Sequence, residues 1–481
     1  MREGSGASSH ASVVDTTAVD TSRSHLRPLF AAPAVAAGTG AVLTGALLLG
    51  RSLSWPSASS NDAWAYTAWG QALARGEQLV YNVSTTPKPL AAALAATVAP
   101  LPPSRAWGVV VVFALGVVVG GLLAAGYRYA GAVGAAVAAV AFVVAAPLDW
   151  ILWLSLADAV TAALVVLGIA LRGPARIAAF VLAGLLRPEA WAVCALAAYV
   201  ELNGSRARRA LGAVAFGALP ALIWVAFDLA FAGNPLATRD FQEGIGADEL
   251  GATVSQGLVG ALDRFGAMVA DAGTIFYVVG CVGLLVHAWR AFPDRTLSFP
   301  LAVALVWAGA LLAETMYGFE LQLRYLLPLT AILALGWGLL AGSFVRSAWN
   351  RRPAFLWGAV AAALAATSLH VARMEFGSTA RRQQSVNLAM QHSLPAVEPV
   401  LACGRLGLVG RRGIGGTISR LAAETRTPLS RFERAESNPP ERYAGILAVR
   451  GNRSALLPAG WLRRQTELGP LAVNPDCPRS G

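Results

Sequence analysis
The chain has a single lysine, Lys88, set between two prolines in TTPKPL, residues 85–90; every other cation among its 38 Lys and Arg residues is an arginine. Lys88 lies in a stretch, residues 60–101, that reads SNDAWAYTAWGQALARGEQLVYNVSTTPKPLAAALAATVAPL. An acid (Asp62), aromatics (Trp64, Tyr66, Trp69) and the lysine are strung along it. A carboxylate can take a proton from a hydroxyl or simply cap a helix. An ammonium is a compact point charge suited to an anion, and rings beside a membrane line a site or anchor the chain. Charges also interrupt apolar runs elsewhere: Arg187-Pro188-Glu189, Asp149 after Pro147, Asp158, Arg324-Tyr325 and, as weaker candidates, Asp228, Glu314 and Glu320. His287 and His370 have no partners at ligand spacing, and Asn82 begins an N-glycosylation pattern that its place near the membrane discounts.

Membrane helices must position these residues. The 481 residues are 56% hydrophobic and 14% charged, with mean hydropathy +0.55. A soluble domain carries roughly a quarter charged residues, so a soluble class is excluded and an α-helical polytopic membrane protein is expected. Apolar segments fall near 29–50, 106–126, 130–147, 151–171, 176–201, 210–232, 270–289, 299–317, 325–344 and 354–372, each near the ~20 residues a crossing helix needs. Residues 1–28 read as a disordered cytoplasmic tail. The run from Leu29 is too long for a signal-peptide core and reads as a first span.

Arginine placement sets the orientation. With a cytoplasmic N-terminus the order works through 151–171 and then fails, because Arg206, Arg208 and Arg209 would face outside. Pro188, near the middle of 176–201, offers the repair. Two half-helices of about 12 residues reach only ~18 Å, which suits a hairpin that enters and leaves on the cytoplasmic side with Arg187-Pro188-Glu189 at its external tip. A single kinked span is the competing expectation. Charged irregular backbone at that depth must line a protein or water cavity. With the hairpin, Arg290, Arg295, Arg346, Arg351 and Arg352 all fall inside. The 52–105 and 233–269 loops, the 318–324 turn and the C-terminal region fall outside. The expected fold is about ten spans plus a re-entrant helical pair, 10–12 in all, with a small C-terminal extracytoplasmic α/β domain. Its parts are the 1–28 tail, a 29–372 transmembrane domain with first external loop 52–105, and a soluble 373–481 domain.

In that loop, Asn61 or Asp62 is expected to cap a helix running to about Arg75, ended by Gly76. A second helix, near 90–101, is too short to span. The C-terminal domain shows strands in YAGILAV and PLAVN and holds 16 Arg against 8 Asp plus Glu. A basic outer face suits anionic lipid head groups or wall polymer, or is a solvated surface. Its GRRGIGG lacks the strand–helix context of a nucleotide fingerprint, and no repeat is visible. Cys194 and Cys281 lie in apolar segments as packing residues; Cys403 and Cys477 can pair if their domain faces an oxidising compartment.

Taken in chain order, several of these stretches resemble one family. An Asp just after the first span, a Tyr four residues on, a Gly near the helix end and a Lys-Pro-Leu step resemble the first external loop of the GT-C integral-membrane glycosyltransferases. Among these are the dolichyl-phosphate-mannose mannosyltransferase-like family and its bacterial lipid-linked relatives. LAGLLRPEAW, FAGNPLATR and ELQLRYLLP resemble that family's short-helix pair, its mid-chain span exit and its late-span entry. The resemblance covers about residues 29–372. It departs where Asn61 precedes a single Asp62, and where the lysine step reads Pro-Lys-Pro-Leu. One carboxylate rarely holds a divalent ion, so no metal site is expected and no cofactor.

The resemblance implies a polyprenyl-phosphate sugar as donor and sugar transfer at the outer face of the cell membrane. Asp62 is then the candidate general base. Lys88, Arg187 and Arg324 are candidates to hold the departing phosphate. Glu189 orients Arg187 or simply pairs with it; Asp149 or Asp158 supplies a second acid; Trp64, Tyr66 and Tyr325 line the substrate. The partners implied are the lipid-linked sugar, a lipid, glycan or protein acceptor and membrane lipids, with no nucleic acid. A transporter or lipid-linked sugar flippase, and a non-catalytic scaffold of the same fold, are the competing expectations.

Overall fold
The computed structural model describes residues 21–54, 60–77, 79, 88–154, 156–238, 257–291, 298–316, 323–345, 348–374, 378–410, 414–434, 442–449, 457–458, 460–475 and 477. Asn82, Glu320, Arg295, Arg346, Thr85, Thr86, Pro87 and the stretch 239–256 lie outside these residues. The membrane part comprises α1 (Thr21–Ser54), α2 (Asn61–Ala74), α3 (Pro89–Thr97), α4 (Pro103–Ala145), α5 (Leu148–Leu154), α6 (Asp158–Ala170) and α7 (Pro174–Gly184). It continues through α8 (Glu189–Glu201), α9 (Arg206–Ala232), α10 (Gly257–Ala291), α11 (Phe299–Met316), α12 (Leu327–Phe344) and α13 (Pro353–Arg373).

Among the described residues, seven helices are long and apolar enough to cross a bilayer: α1, α4, α9, α10, α11, α12 with its preceding turn, and α13. One of them, α4, is two helices that fold back on each other at Gly131 (φ 82, ψ −170). A Cβ at Gly126 would lie 2.6 Å from the Cα of Ala135. A straight helix would hold those residues about 13 Å apart, at about 1.5 Å per residue. The reversal is stitched by Asn350, whose Oδ1 accepts from the Val133 N–H (2.9 Å) and whose Nδ2 donates to the Ala130 carbonyl (2.9 Å).

Three expectations change. Helix α1 begins at Thr21, inside the stretch expected to be disordered. Helix α10 begins at Gly257 and changes direction at Gly273, so part of the 233–269 loop is helical. The segment 151–171 is not one span: α5 ends at Leu154, and Asp158 is the first residue of α6 rather than a residue one to two turns inside a crossing. An acid in the middle of a span is costly without a partner. At the start of α6 it faces the positive end of the helix dipole and two arginines.

Polar contacts sort the helix ends onto two faces. On one, Arg51 Nη2 donates to the Met374 carbonyl (2.5 Å) and Arg105 Nη1 to the Ser52 carbonyl (2.8 Å). On the other, Arg128 Nη1 donates to the Ala170 and Leu171 carbonyls (both 3.0 Å), and Tyr127 Oη to the Arg351 carbonyl (2.5 Å). Helices α7 and α8 form the re-entrant pair: their distant ends meet on this second face, where Glu201 pairs with Arg176 and accepts from the Gly173 N–H (2.6 Å). Their common tip, Arg187-Pro188-Glu189, lies on the first face.

That first face also carries the C-terminal domain, which comprises α14 (Ser378–Cys403), β1 (Leu406–Gly410), α15 (Ile414–Thr425), β2 (Phe432–Arg434), β3 (Gly445–Val449), β4 (Leu462–Gln465) and β5 (Pro470–Val473). The sheet order is β2-β1-β3-β5-β4. Strands β2 and β3 run parallel to β1, while β5 is antiparallel to β3 and β4. The glycine-rich GRRGIGG does join a strand to a helix, since β1 ends at Gly410 and α15 begins at Ile414. The sequence hid this because a five-residue buried strand reads only as a short apolar run. Cys403 and Cys477 form a disulfide (Cα–Cα 5.7 Å). Cys194 is buried, whereas Cys281 is exposed on the bundle surface.

Candidate functional site
Five helices, α2, α3, α6, α8 and α12, start at one place on the face that carries the C-terminal domain. Each puts a charged residue at or just before its first turn: Asp62, Lys88, Asp158, Arg187 with Glu189, and Arg324. Helix N-termini carry partial positive charge and unpaired N–H groups, so the five starts reinforce the three cations.

Local sequence explains each start. Ser60, rather than Asn61 or Asp62, caps α2, its Oγ accepting from the Ala63 N–H (3.2 Å). The Asp62 carboxylate is thereby free to accept from Arg324 Nη1 (2.6 Å). Gly76 (φ 69) ends the helix, as its sequence predicts. Pro89 opens α3, where a missing N–H costs nothing; Lys88 stands at the cap position and makes no capping bond. Helix α3 is locked to α2 at Gly70, where a Cβ would come within 2.4–2.6 Å of Ala95. Asp62 and Lys88 therefore move as one unit.

The tip of the re-entrant pair supplies Arg187, which forms a side-chain pair with Asp158 through Nη2 and lies 3.6 Å through Nη1 from Glu189 Oε1. Arg324 Nε is 3.8 Å from Asp158 Oδ2, so Asp158 is shared by two guanidinium groups. Tyr325 lies under both: its ring centroid is 3.7 Å from the Arg187 Cζ and 5.3 Å from the Arg324 Cζ. Tyr66, on the same face of α2 as Asp62, packs on Trp69 (5.8 Å) and Trp107 (4.8 Å). The Asp62 and Arg324 side chains keep 20% and 18% of their surface, against 5% for Asp158, so the accessible side of the cluster is Asp62 and Arg324.

Charge crowding shows on the lysine. Lys88 retains some surface but is enclosed by protein on most sides. Burial, with Arg187 and Arg324 adding to it against Asp158 and Asp62, pushes its ammonium from 10.5 down to about 8. Burial and the Asp62 charge push the Tyr66 phenol up, which keeps it a neutral hydrogen-bonding group.

The cluster thus gathers Asp62, Lys88, Arg187, Arg324, Asp158, Glu189, Tyr66 and Tyr325. Glu314, from α11, adds a carboxyl beside Glu189. Two sequence candidates stand elsewhere. Asp149 lies near His370. Trp64 points away from it, under the Arg420 guanidinium of the C-terminal domain (4.6 Å), and is 1% exposed, so it cannot line a substrate. Asp228 accepts from the Thr238 N–H and Oγ1 (both 2.9 Å), which clamps the turn after α9. Two contributors gave no sequence signal. Trp107 lies in an apolar run, and Arg420 in a helix more than 300 residues from α2.

The bundle, its re-entrant pair and the domain on one face have a GT-C type membrane glycosyltransferase fold. Two crystal structures share it, both of ArnT, a GT-C glycosyltransferase, from Cupriavidus metallidurans. The form bound to undecaprenyl phosphate matches with a TM-score of 0.50 and 12% identity, covering 90% of this chain and 97% of that one. The apo form matches with a TM-score of 0.52 and 14% identity, covering 94% and 98%. No known protein family's profile matches the chain, nor does any curated protein sequence.

Proposed function
We propose that the protein moves a sugar from a polyprenyl-phosphate donor to an acceptor hydroxyl at the outer face of the cell membrane. The observation that carries this is the convergence of three cations and five helix starts beside an accessible carboxylate, on the face that bears the C-terminal domain. The likeness to a protein bound to undecaprenyl phosphate supports a lipid-phosphate donor.

In this proposal the acceptor oxygen attacks the anomeric carbon, the carbon–oxygen bond to phosphate breaks, and Asp62 takes the acceptor proton. Arg324, Arg187 and Lys88 neutralise the leaving phosphate. As it enters, the guanidinium groups exchange carboxylate oxygens for phosphate oxygens, so the ion pairs with Asp62 and Asp158 hold the cations aimed. Asp158 and Glu189 serve as holders. Tyr325 presents a ring face to the guanidinium groups, and Tyr66 offers its hydroxyl.

Orientation has two supports. Arg128, Arg172, Arg176, Arg206, Arg208, Arg209, Arg290, Arg351 and Arg352 lie at the face opposite the cluster, which suits the cytoplasm. The Cys403–Cys477 bridge in the domain on the cluster's face suits an oxidising compartment.

The test compares wild type with Asp62→Asn in proteoliposomes given radiolabelled polyprenyl-phosphate sugars and a source-cell lipid extract as acceptor. Loss of transfer in a folded variant supports the proposal. Transfer that survives relocates the base, with Asp158 next. One observation favours a non-catalytic scaffold: Asp62 is already engaged by Arg324. The absence of transfer from every donor, with the acceptor shown competent, would select it.

A further inference from the structure
A second charged site lies at the opposite face, between the ends of α4, α10 and α12. There a cleft of about 430 Å³ is lined by Tyr129, His287, Arg290, Ser343, Asn350 and Arg351, together with apolar residues. That volume is within the roughly 300–1,000 Å³ of ligand sites. Among the described residues its lining holds two arginines and no acid. Each guanidinium is only lightly engaged: Arg290 Nη1 donates to the Ser343 carbonyl (3.2 Å) and Arg351 Nη1 to the Arg128 carbonyl (3.4 Å). Five N–H donors per guanidinium leave most of them available. His287 meets the Tyr129 ring edge-on (5.6 Å), which fixes the cleft's inner wall, and Asn350 is fully committed to the Gly131 reversal.

The surroundings indicate what such a cleft takes. Trp289, next to Arg290, is 77% exposed, and Phe344, next to Ser343, is 79% exposed. Large rings standing out beside arginines at the end of membrane helices mark the depth of the lipid head groups. Basic pockets between helices at that depth take anionic lipid head groups. A soluble anion would have no use for the two rings; acyl chains would.

We propose that this cleft binds the phosphate head group of an anionic membrane lipid in the leaflet opposite the transfer site. Arg290 and Arg351 hold the phosphate, and Trp289 and Phe344 lie along the chains. This rests on the cleft alone and is independent of the function proposed above.

Native mass spectrometry of the full-length, delipidated protein titrated with phosphatidylglycerol, and separately with phosphatidylcholine, tests it. Wild type should retain phosphatidylglycerol in preference to phosphatidylcholine, and Arg290→Gln/Arg351→Gln should weaken that retention about tenfold, as expected for lost charge-assisted contacts. Equal binding of the two lipids, or no change in the double variant, would overturn the proposal. Displacement of phosphatidylglycerol by millimolar inorganic phosphate would overturn the lipid assignment in favour of a free anion. Should the double variant not fold, Arg290→Gln alone changes an exposed side chain and reads the same preference. Trp289→Ala should then weaken phosphatidylglycerol binding while leaving the charges intact, and unchanged binding would count against the lipid.

Discussion

The two ends of the same helices use charge in opposite ways. At the face opposite the domain, arginines bond mainly to backbone, Arg176 pairing with Glu201 as well. Arg128 and Arg176 reach the last carbonyls of α6, Arg209 the Tyr199 carbonyl near the end of α8, and Arg290 the Ser343 carbonyl near the end of α12. A helix C-terminus has unpaired carbonyls and partial negative charge, so these cations act as caps. At the domain face the helices of the cluster start, and its arginines bond to carboxylates, Arg324 to Asp62 and Arg187 to Asp158, while Arg51 and Arg105 at the rim bond to backbone. A backbone carbonyl is a permanent partner. A carboxylate is a partner that another anion can replace. The contrast separates cations that cap helix ends from cations held by replaceable anions; Arg290 and Arg351, each with one long backbone bond, keep N–H groups to spare at the capping face.

Breaking the comparison should therefore be lopsided. The largest effect is expected from Asp62→Asn, which should lower kcat about 10²–10⁴-fold with little change in Tm, read by transfer assays and thermal unfolding. Arg324→Gln should cost about 10²–10³-fold in transfer and also lower Tm more than Asp62→Asn does, because Arg324 serves both Asp62 and Asp158; thermal unfolding of the two variants checks the second part. Lys88 sharpens the comparison through pH. Its ammonium is charged below about 8 and neutral above, and a bound phosphate favours the charged form. Donor affinity should be flat at low pH and fall as pH rises through 8, by up to about tenfold per unit, while Lys88→Arg should keep it flat. At the opposite face, Asn350→Ala leaves the Val133 N–H and the Ala130 carbonyl unpaired and should cost about 1–3 kcal/mol of stability, with transfer per folded molecule unchanged. The smallest effect is Arg128→Met, about 1 kcal/mol or less. A large loss of transfer in either of these last two would erase the distinction between the faces.

What the sequence made legible was local or statistical. Proline at 188 and the arginines at 206, 208 and 209 were enough to expect a re-entrant pair, because helix length and charge placement are constrained by the bilayer itself. Gly76 marked the end of one helix through a backbone rule that needs no neighbours, and the next, expected from Leu90, begins one residue earlier at Pro89. The partners were not legible. Asp62 and Arg324 are 262 residues apart, and Asp158 reaches Arg187 across 29. Such pairs depend on which helices cross, which no periodicity states. Local rules even misdirected: Asp62 fits a cap position, and only the Ser60 hydroxyl, two residues earlier, relieves it. Trp64 and Tyr66 look alike on paper, yet a rotation of about 200° along the helix sends one under Arg420 and the other to the cluster.

The lone lysine has a practical corollary. Lys88 is the chain's only side-chain amine, and with its ammonium pushed down to about 8 far more of it is unprotonated and nucleophilic at mildly alkaline pH than for an ordinary lysine. An amine-selective reagent thus has one internal target, at the proposed phosphate position. The rate at which that single residue is labelled, with and without a lipid-phosphate sugar, turns occupancy of the site into a mass shift on one peptide.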